Sequence, residues 1–342
     1  LLRCLALTNS GELLESLVGW MKFQDSDVQA LVDGGWLLRN EKTKCLVLHD
    51  LVREYYNRET PDRQTVERFI KGALGENFRS GARAVTPAIF KRKALDFQIR
   101  AVEIMEQYWN SEEELAEACN TVGISLSAFG DHRRALGYKY RALSIWERVL
   151  QPGHLDLAII YDSIGMSYGA LGDHVKALEY KSKALSIREK VLTPDDLDLA
   201  TSYDYVGTSY GALGNRIKAL EYKRKALSIR EKVLPPEHLD ISTSYNSIGY
   251  TYGKLGNQQQ ALEYYHRALV IREKLLPWNH PDIAVSCGNI AWAYTEMGEC
   301  VKALGWMQRA LEIAEYSLPE DHPKRRNYRE GVEYLERRCA KD

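Results

Sequence analysis

The sequence repeats itself every 42 residues between about residues 114 and 320. Five successive copies align without insertion, and small residues, glycine above all, recur at the same places in each copy. Two glycine columns, an alanine column and an isoleucine column follow this period: Gly123, Gly165, Gly207 and Gly249, with Ala291 in the fifth place; Gly130, Gly172, Gly214, Gly256 and Gly298; Ala142, Ala184, Ala226, Ala268 and Ala310; and Ile145, Ile187, Ile229, Ile271 and Ile313. A fixed period of this length indicates a small structural unit that stacks on copies of itself.

Each copy is predicted to form two helices, helix A and helix B, joined by a tight turn. In the copy from Asp156 to Leu192, apolar residues recur at three- and four-residue spacing on both sides of the turn, which predicts two amphipathic helices. Gly172 can adopt the left-handed conformation that ends helix A, and Asp173 can accept hydrogen bonds from the first amides of helix B. Pro194 ends helix B because proline cannot continue a helix.

The small and aromatic residues of this helix–turn–helix unit resemble those of the tetratricopeptide repeat. Helix B endings such as Ile229-Arg230-Glu231-Lys232-Val233-Leu234 and the loop His280-Pro281-Asp282 are similar to the kinesin-light-chain subtype. The resemblance implies a mainly α fold, a right-handed solenoid of helical hairpins in which helix A lines the concave surface.

One position departs from the family pattern. The aromatic residue that the family has four residues after the first alanine of helix B is a lysine in three copies, and only Tyr265 conforms. These lysines are Lys139, Lys181 and Lys223, and the tyrosines that precede them are Tyr138, Tyr180 and Tyr222. We expect the tyrosines to fill the gap that the missing aromatic ring leaves.

The helix A positions that the core does not use form the candidate partner-binding surface. They make two rows: Asn120, Asp162, Asp204 and Asn246 in one, and Met166, Thr208, Tyr250 and Trp292 in the next. A repeating stripe of polar and aromatic groups on one wall favours the capture of a protein or a peptide. The alternative is that these residues are solvated or have structural roles, such as helix capping by Asn and Asp.

Residues 1–60 predict a separate winged-helix domain with one β-hairpin. Helices are predicted from Glu12 to Trp20, from Asp25 to Gly34 and onwards from His49, and the apolar runs Trp36–Leu38 and Cys45–Leu48 predict the hairpin. Many winged helices bind DNA, but residues 26–35 contain two Asp and no Lys or Arg. This segment therefore lacks the basic side chains that phosphate contacts need.

The run Leu48-His49-Asp50-Leu51-Val52-Arg53-Glu54-Tyr55 resembles the methionine-histidine-aspartate motif of signal-transduction ATPases with numerous domains (STAND), a class that includes NB-ARC and NLR-like proteins. The resemblance implies that His49 contacts an ADP phosphate in a closed resting state and that Asp50 orients the turn. The alternative is that both residues cap a helix N-terminus. No Gly-x-x-x-x-Gly-Lys-Ser/Thr loop occurs, so ADP or ATP is expected only in a longer parent whose nucleotide-binding domain precedes Leu1.

Two further segments complete the predicted organisation. Residues 61–113 are expected to form a connector with a degenerate leading repeat. Residues 114–320 form the five repeats, and residues 321–342 a C-terminal capping helix. The chain begins at Leu1 rather than Met, and we interpret it as a piece of a longer protein.

Composition disfavours several function classes. With 46 basic and 47 acidic residues, the chain lacks the positive charge expected of a protein that binds nucleic acid or a membrane surface. No apolar run reaches the ~20 residues that a membrane span needs, and no signal peptide is evident. The six cysteines form no Cys-x-x-Cys pair, and we expect buried free thiols in a cytoplasmic protein.

No catalytic or metal-binding pattern stands out. Four histidines recur one or two periods apart in the loops between repeats, too far apart to share a metal ion, and they are predicted to cap helices: His154, His238, His280 and His322. Neither a nucleophile elbow nor a cysteine–histidine constellation occurs. We therefore expect no enzymatic activity, metal or cofactor in this chain.

Three functions are compatible with these features. The first is the sensor portion of a nucleotide-switched STAND or NLR-like signalling ATPase in innate immunity or defence, in which a trigger binds the repeats and the activated parent can oligomerise. The second is a stand-alone adaptor that docks peptides, as a kinesin light chain does. The third is a DNA-binding transcriptional regulator, which the acidic stretch at residues 26–35 disfavours. The Leu48-His49-Asp50 turn favours the first function over the second.

Overall fold

The computed structural model describes three short strands at residues 12–14, 37–40 and 45–48, helical residues 95, 98–103, 105 and 106, and the continuous stretch 111–340. The strands are β1 (Glu12–Leu14), β2 (Leu37–Asn40) and β3 (Cys45–Leu48), and they pair antiparallel in the order β1-β3-β2. Strands β2 and β3 form the predicted hairpin, in which Leu37 lies opposite Leu48.

The prediction of a helix from Glu12 to Trp20 was wrong at its start. Residues Glu12–Leu14 form β1 and pair with β3. An apolar run as short as Leu13-Leu14 has no periodicity that distinguishes a strand from a helix. Pairing with another segment therefore determines which of the two it forms. The remainder of that segment and the other predicted winged-helix helices lie outside the described residues.

Eleven helices follow one another through residues 111–340 and confirm the predicted helical hairpins. Odd-numbered helices from α1 to α9 are the A helices of five repeats, even-numbered helices from α2 to α10 are their B helices, and α11 ends the series. Their bounds are α1 Glu112–Ala128, α2 His132–Val149, α3 Leu155–Ala170, α4 His174–Val191, α5 Leu197–Ala212, α6 Arg216–Val233, α7 Leu239–Lys254, α8 Gln258–Leu275, α9 Pro281–Glu296, α10 Cys300–Ser317 and α11 Pro323–Cys339.

The turns from helix A to helix B have the predicted chemistry. The glycine of each turn has a φ between 77° and 84°, the left-handed region that other residues enter only with strain: Gly130, Gly172, Gly214, Gly256 and Gly298. The next residue caps helix B in the first four turns. Asp173, for example, accepts a hydrogen bond from the backbone N–H of Lys176 at 3.0 Å.

The histidines between repeats cap A helices, as predicted. Each Nδ1 accepts a hydrogen bond of 3.1–3.3 Å from the backbone N–H two residues later, at the start of α3, α7, α9 and α11: His154, His238, His280 and His322. Asp196 has the same role at the start of α5.

The chain divides into two units, and the first is Leu1–Gly172. In it, α1 and α2 pack as a hairpin and α3 packs on α2. The buried residues of these helices include Ala116, Cys119, Val122, Leu126, Ala135, Ala142, Leu143, Trp146, Leu157, Ile160 and Ile164. A leading helical segment (residues 95, 98–103, 105 and 106) contributes the buried Leu95, Ala101, Val102 and Met105. Glu106 of this segment forms an ion pair with Arg141 of α2.

The second unit, Asp173–Asp342, contains α4 to α11. Each of these helices packs on the next one along the chain. Apolar clusters fill the spaces between them, one formed by Leu185, Leu199, Ala200, Val206, Ala226 and Ile229, and a larger one that includes Ile241, Ile248, Tyr265, Ile283, Ile290 and Ile313. Leu335 of α11 packs against Ala303 of α10, so α11 covers the last repeat.

The expectation of free thiols was wrong for one pair of cysteines. Cys300 and Cys339 form a disulfide with a Cα–Cα distance of 5.7 Å. Cys300 begins α10 and Cys339 ends α11, and antiparallel packing of these two helices brings the distant ends together. Cys119 and Cys287 are free and buried, as expected.

The lysines that replace the family's aromatic residue are themselves buried. They are 1%, 7% and 6% exposed, in the order Lys139, Lys181 and Lys223. The preceding tyrosines are only half-buried: Tyr138, Tyr180 and Tyr222. The expectation that the tyrosines fill the gap was therefore wrong. The lysines occupy it, because the next A helix supplies acceptors for their ammonium groups.

Candidate partner-binding surface

The glycines of the first column lie where A helices contact their B helices. A Cβ atom at Gly123 would lie 2.7 Å from Lys139 Cγ. One at Gly207 would lie 3.1 Å from the carbonyl oxygen of Ala219 and from Lys223 Cγ. The glycines therefore lie against helix B, at a contact too close for a side chain.

The predicted rows lie on another side of the A helices, which we call the A face. In the first unit the A face consists of Asn120, Ile124, Asp162 and Met166. In the second unit it consists of Asp204, Thr208, Asn246, Tyr250, Lys254, Asn289 and Trp292. Each unit has an A face of its own.

The residues one position after the glycine column are accessible to solvent. Ile124 is 51% exposed, Met166 45% and Tyr250 51%. Thr208 is also exposed, and Trp292 is half-buried. A partner could cover these side chains without disturbing the packing between helices.

The row that begins at Asn120 lies deeper. Asn120 is 9% exposed and Asp162 is 5% exposed, whereas Asp204 and Asn246 are half-buried. The side-chain oxygen of Asn120 is buried and has no hydrogen-bond partner among the residues that the structure describes. This row therefore forms the floor of the A face, and the row after the glycines forms its open surface.

Asp204 is held by a buried guanidinium group. Arg230 of α6, which is 8% exposed, donates from Nη1 to Asp204 Oδ2 and to the hydroxyl of Ser244 on α7. Burial raises the pKa of the Asp204 carboxyl, and the charge and hydrogen bond of Arg230 oppose that rise. The other carboxylate oxygen, Oδ1, is buried, and no described residue forms a hydrogen bond with it. Asp204 thus has a structural role and leaves one acceptor at the floor of the A face.

Asn246 and Asn289 connect the A helices of two successive repeats. The amide nitrogen of Asn289 on α9 donates to Asn246 Oδ1 on α7 at 2.9 Å. This bond leaves the amide nitrogen of Asn246 and Oδ1 of Asn289 free among the described residues. A free donor beside a free acceptor matches the N–H and C=O groups of an extended peptide backbone.

Aromatic and cationic groups lie next to this amide pair. Lys254 Nζ lies 5.5 Å from the centre of the Tyr250 ring and 5.0 Å from that of Trp292. Trp292 packs closely on α7, since a Cβ atom at Gly253 would lie 3.2 Å from its indole. The A face of the second unit therefore combines hydrogen-bonding amides with large rings, the residue types that dominate binding energy at interfaces.

Sequence reasoning missed Asn289 and Lys254. Asn289 follows Asn246 by 43 residues rather than 42, so it belongs to another column of the repeat. Lys254 is hidden because its column holds alanine in the three preceding copies: Ala128, Ala170 and Ala212. A comparison of neighbouring columns across successive repeats could have found the asparagine pair.

The remaining predicted site residues, His49 and Asp50, lie outside the described residues. Within the described part of the chain, no cluster of His, Cys, Asp or Glu could hold a metal ion. None of the helices described is long and apolar enough to cross a membrane.

The sequence profile of the tetratricopeptide repeat matches four overlapping segments, residues 114–190, 156–232, 198–274 and 240–315. Together these segments span more than half of the chain. The chain belongs to the tetratricopeptide repeat family. Proteins of this family are typically scaffolds for protein partners rather than enzymes, and they do not generally use cofactors.

Solved structures share the fold at low sequence identity. A putative kinesin light chain with nearly identical TPR-like repeats from Podosopora anserina aligns with 21% identity over 61% of this chain and 100% of that chain, with a TM-score of 0.54. A STAND protein with a tetratricopeptide repeat sensor from Pyrococcus horikoshii aligns with 20% identity over 96% of this chain and 51% of that chain, with a TM-score of 0.53. A Rap protein complexed with competence and sporulation factor aligns with 14% identity over 73% of this chain and 72% of that chain, with a TM-score of 0.52. No curated protein matches the sequence.

Proposed function

We propose that this tetratricopeptide repeat chain is the cytoplasmic sensor portion of a STAND or NLR-like signalling ATPase and that its A face binds a protein or peptide trigger. The observation that carries the binding proposal is the asparagine pair of α7 and α9, with Tyr250, Lys254 and Trp292 beside it. Family membership supports a protein partner. The Rap protein, which shares the fold, is complexed with competence and sporulation factor.

The asparagine pair suggests how a peptide would be held. An extended peptide can accept a hydrogen bond from the amide nitrogen of Asn246 and donate one to Oδ1 of Asn289. These bonds are independent of peptide sequence, so they supply affinity and alignment. The rings of Tyr250 and Trp292 would contact the peptide side chains and supply selectivity.

The switch proposal rests on the segment that follows the hairpin. Strand β3 ends at Leu48, so the His49-Asp50 pair follows the hairpin directly, as in the motif that it resembles. The STAND structure from Pyrococcus horikoshii aligns with nearly the whole of this chain. In a longer parent, His49 would contact the ADP phosphate and Asp50 would orient its turn, and the activated parent could oligomerise.

The binding proposal can be tested with a random peptide library displayed against the immobilised chain. We expect the wild-type chain to enrich peptides, and the double variant N246A/N289A to lose them because both backbone contacts disappear. The matched control is Gln259→Ala, a polar exposed residue of α8 away from the A face. Q259A should retain the wild-type peptides. Equal enrichment by N246A/N289A, or no enrichment by the wild-type chain, would refute the proposed site.

The second candidate is a stand-alone adaptor of the kinesin-light-chain type, which the fold of the Podosopora anserina protein favours. An adaptor needs the same A face and no nucleotide switch. A parent with a phosphate-binding loop upstream of residue 1 would support the sensor, and a parent without one would support the adaptor.

A further inference from the structure

The joints between successive repeats contain buried ammonium groups that reach into the next A helix. Lys139 Nζ of α2 donates to the hydroxyl of Ser167 on α3 at 2.7 Å and to the carbonyl of Ser163 at 2.9 Å. Lys223 Nζ of α6 makes the same pair of contacts to α7, with the hydroxyl of Thr251 at 2.9 Å and the carbonyl of Ser247 at 3.2 Å.

The third lysine joint is of the same kind. Lys181 Nζ of α4 donates to the hydroxyl of Ser209 on α5 at 3.1 Å. In all three joints the hydroxyl lies 28 residues after the lysine. The side chain thus crosses from the B helix of one repeat to the A helix of the next.

Where the lysine is absent, the hydroxyl is absent too. In the joint of α8 with α9, Tyr265 takes the lysine position and Ala293 takes the hydroxyl position, and both belong to one buried apolar cluster. In the joint of α10 with α11, Met307 and Leu335 take these positions and pack in another.

A second position in the joints follows the same rule. Buried arginines donate to a serine hydroxyl 14 residues later, in the pairs Arg188–Ser202, Arg230–Ser244 and Arg272–Ser286. The other two joints have neither an arginine nor a serine at this position, and the residues there are Trp146 with Ile160 and Ala314 with Tyr328. At both positions, a lysine or arginine is therefore paired with a serine or threonine, and where the cationic residue is absent the serine or threonine is absent too.

The rule has a physical cause. An ammonium or guanidinium group that is buried without its acceptor costs free energy, and so does a hydroxyl that is buried against an aromatic ring. A mismatch is unfavourable in either direction, so each B helix discriminates between the two classes of A helix.

From these contacts we infer that each B helix presents a docking surface that accepts one chemical class of A helix, and that this pairing fixes which repeats can be neighbours. A B helix that carries the lysine accepts an A helix that has a serine or threonine 28 residues after that lysine. The tyrosine surface of α8 accepts an A helix with alanine there. The joints thereby restrict the class of A helix that can follow each B helix. The surfaces of α4 and α6 belong to one class, because both combine the lysine with the arginine, and the surface of α8 belongs to another.

Two deletions of the full chain test this inference, and each removes one whole period. Deletion of residues 195–236 joins α4 to α7, so that Lys181 meets Thr251 and Arg188 meets Ser244. Deletion of residues 237–278 joins α6 to α9, so that Lys223 meets Ala293 while Arg230 still meets a serine, Ser286. The two products have equal length, and the new joint has a hydroxyl opposite the lysine in the first and an alanine there in the second.

We expect the first product to fold cooperatively, with a thermal unfolding midpoint at least about 5 °C above that of the second, because the buried ammonium group of Lys223 loses its hydroxyl acceptor in the second. Adding Ala293→Ser to the second product should raise its midpoint. The same substitution in the intact chain, where residue 293 belongs to the cluster of Tyr265, should lower the midpoint or leave it unchanged. Equal midpoints for the two products, an unfolded first product, or an Ala293→Ser effect of one sign in both backgrounds overturns the inference.

Discussion

At the scale of a single residue, Lys139 is an example of a charged group that is buried between two successive repeats. Its side chain is 1% exposed, and its ammonium group donates to Ser127 Oγ, to the carbonyl of Ser163 and to Ser167 Oγ at 2.7–2.9 Å. Three acceptors match the three ammonium hydrogens. Burial nevertheless lowers the pKa of Lys139 from its ordinary value of 10.5 to about 8.

This shift predicts how stability depends on pH. The folded-state pKa of Lys139 lies below the unfolded value, so between about pH 8 and pH 10.5 the unfolded chain binds more protons than the folded chain. The contribution of Lys139 to the free energy of unfolding is therefore lowest below about pH 8, and it rises as the pH increases through that window. We expect Lys139→Met to remove this rise in urea-unfolding free energy measured across the window. Lys190→Met, at an exposed position of α4, is the control and should leave the slope unchanged. An unaltered slope in K139M would mean that the ammonium titrates as it does in water.

At the scale of elements, local chemistry was predictable from the sequence and contacts across a joint were not. The turn at Gly172 and Asp173 followed from backbone preferences of single residues, and the histidine caps followed from their place before α3, α7, α9 and α11. The burial of Lys139 depends on a hydroxyl 28 residues away, and the Cys300–Cys339 bond on two helix ends 39 residues apart. Each of these relations joins residues of two different elements, so it is not visible in the residue pattern of a single repeat. The Asn246–Asn289 pair joins two successive repeats and is hidden for the same reason.

The close contact between helices A and B gives a prediction for the third repeat. A side chain at Gly207 would meet the carbonyl oxygen of Ala219 and Lys223 Cγ at 3.1 Å. We expect Gly207→Leu to destabilise the chain by roughly 1–3 kcal/mol through overpacking. The matched control is Gly305→Ala in α10, where an added Cβ would meet no atom of the described residues within 4 Å. That change should stabilise the chain by about 0.5–1 kcal/mol, because alanine favours a helix more than glycine does. Calorimetric unfolding measures both. Wild-type stability in Gly207→Leu would show that the A and B helices do not pack through this glycine.

At the scale of the whole molecule, the proposed sensor has to convert trigger binding into a change of state in a longer parent. A trigger can shift such an equilibrium only through its differential affinity for the open and closed states, and a shift from 1:99 to 99:1 needs a preference of about 10⁴-fold. In this proposal the A face would supply the binding. The contact between His49 and the ADP phosphate would supply part of the bias towards the closed state, so loss of that contact should open the parent without any trigger.

We therefore expect His49→Ala to raise the resting activity of a full-length parent, because the closed state loses a phosphate contact. In the isolated chain the same change should leave peptide enrichment by the A face unaltered.

N246A/N289A should do the opposite, so that the parent keeps its low resting activity and no longer responds to the trigger. The readouts are ADP release and oligomer formation of the parent, measured with and without trigger. Because the two variants act on different states, their effects should separate. The triple variant H49A/N246A/N289A should be active at rest and unresponsive to the trigger. A parent in which His49→Ala leaves resting activity unchanged would favour the adaptor, since an adaptor has no closed state to release.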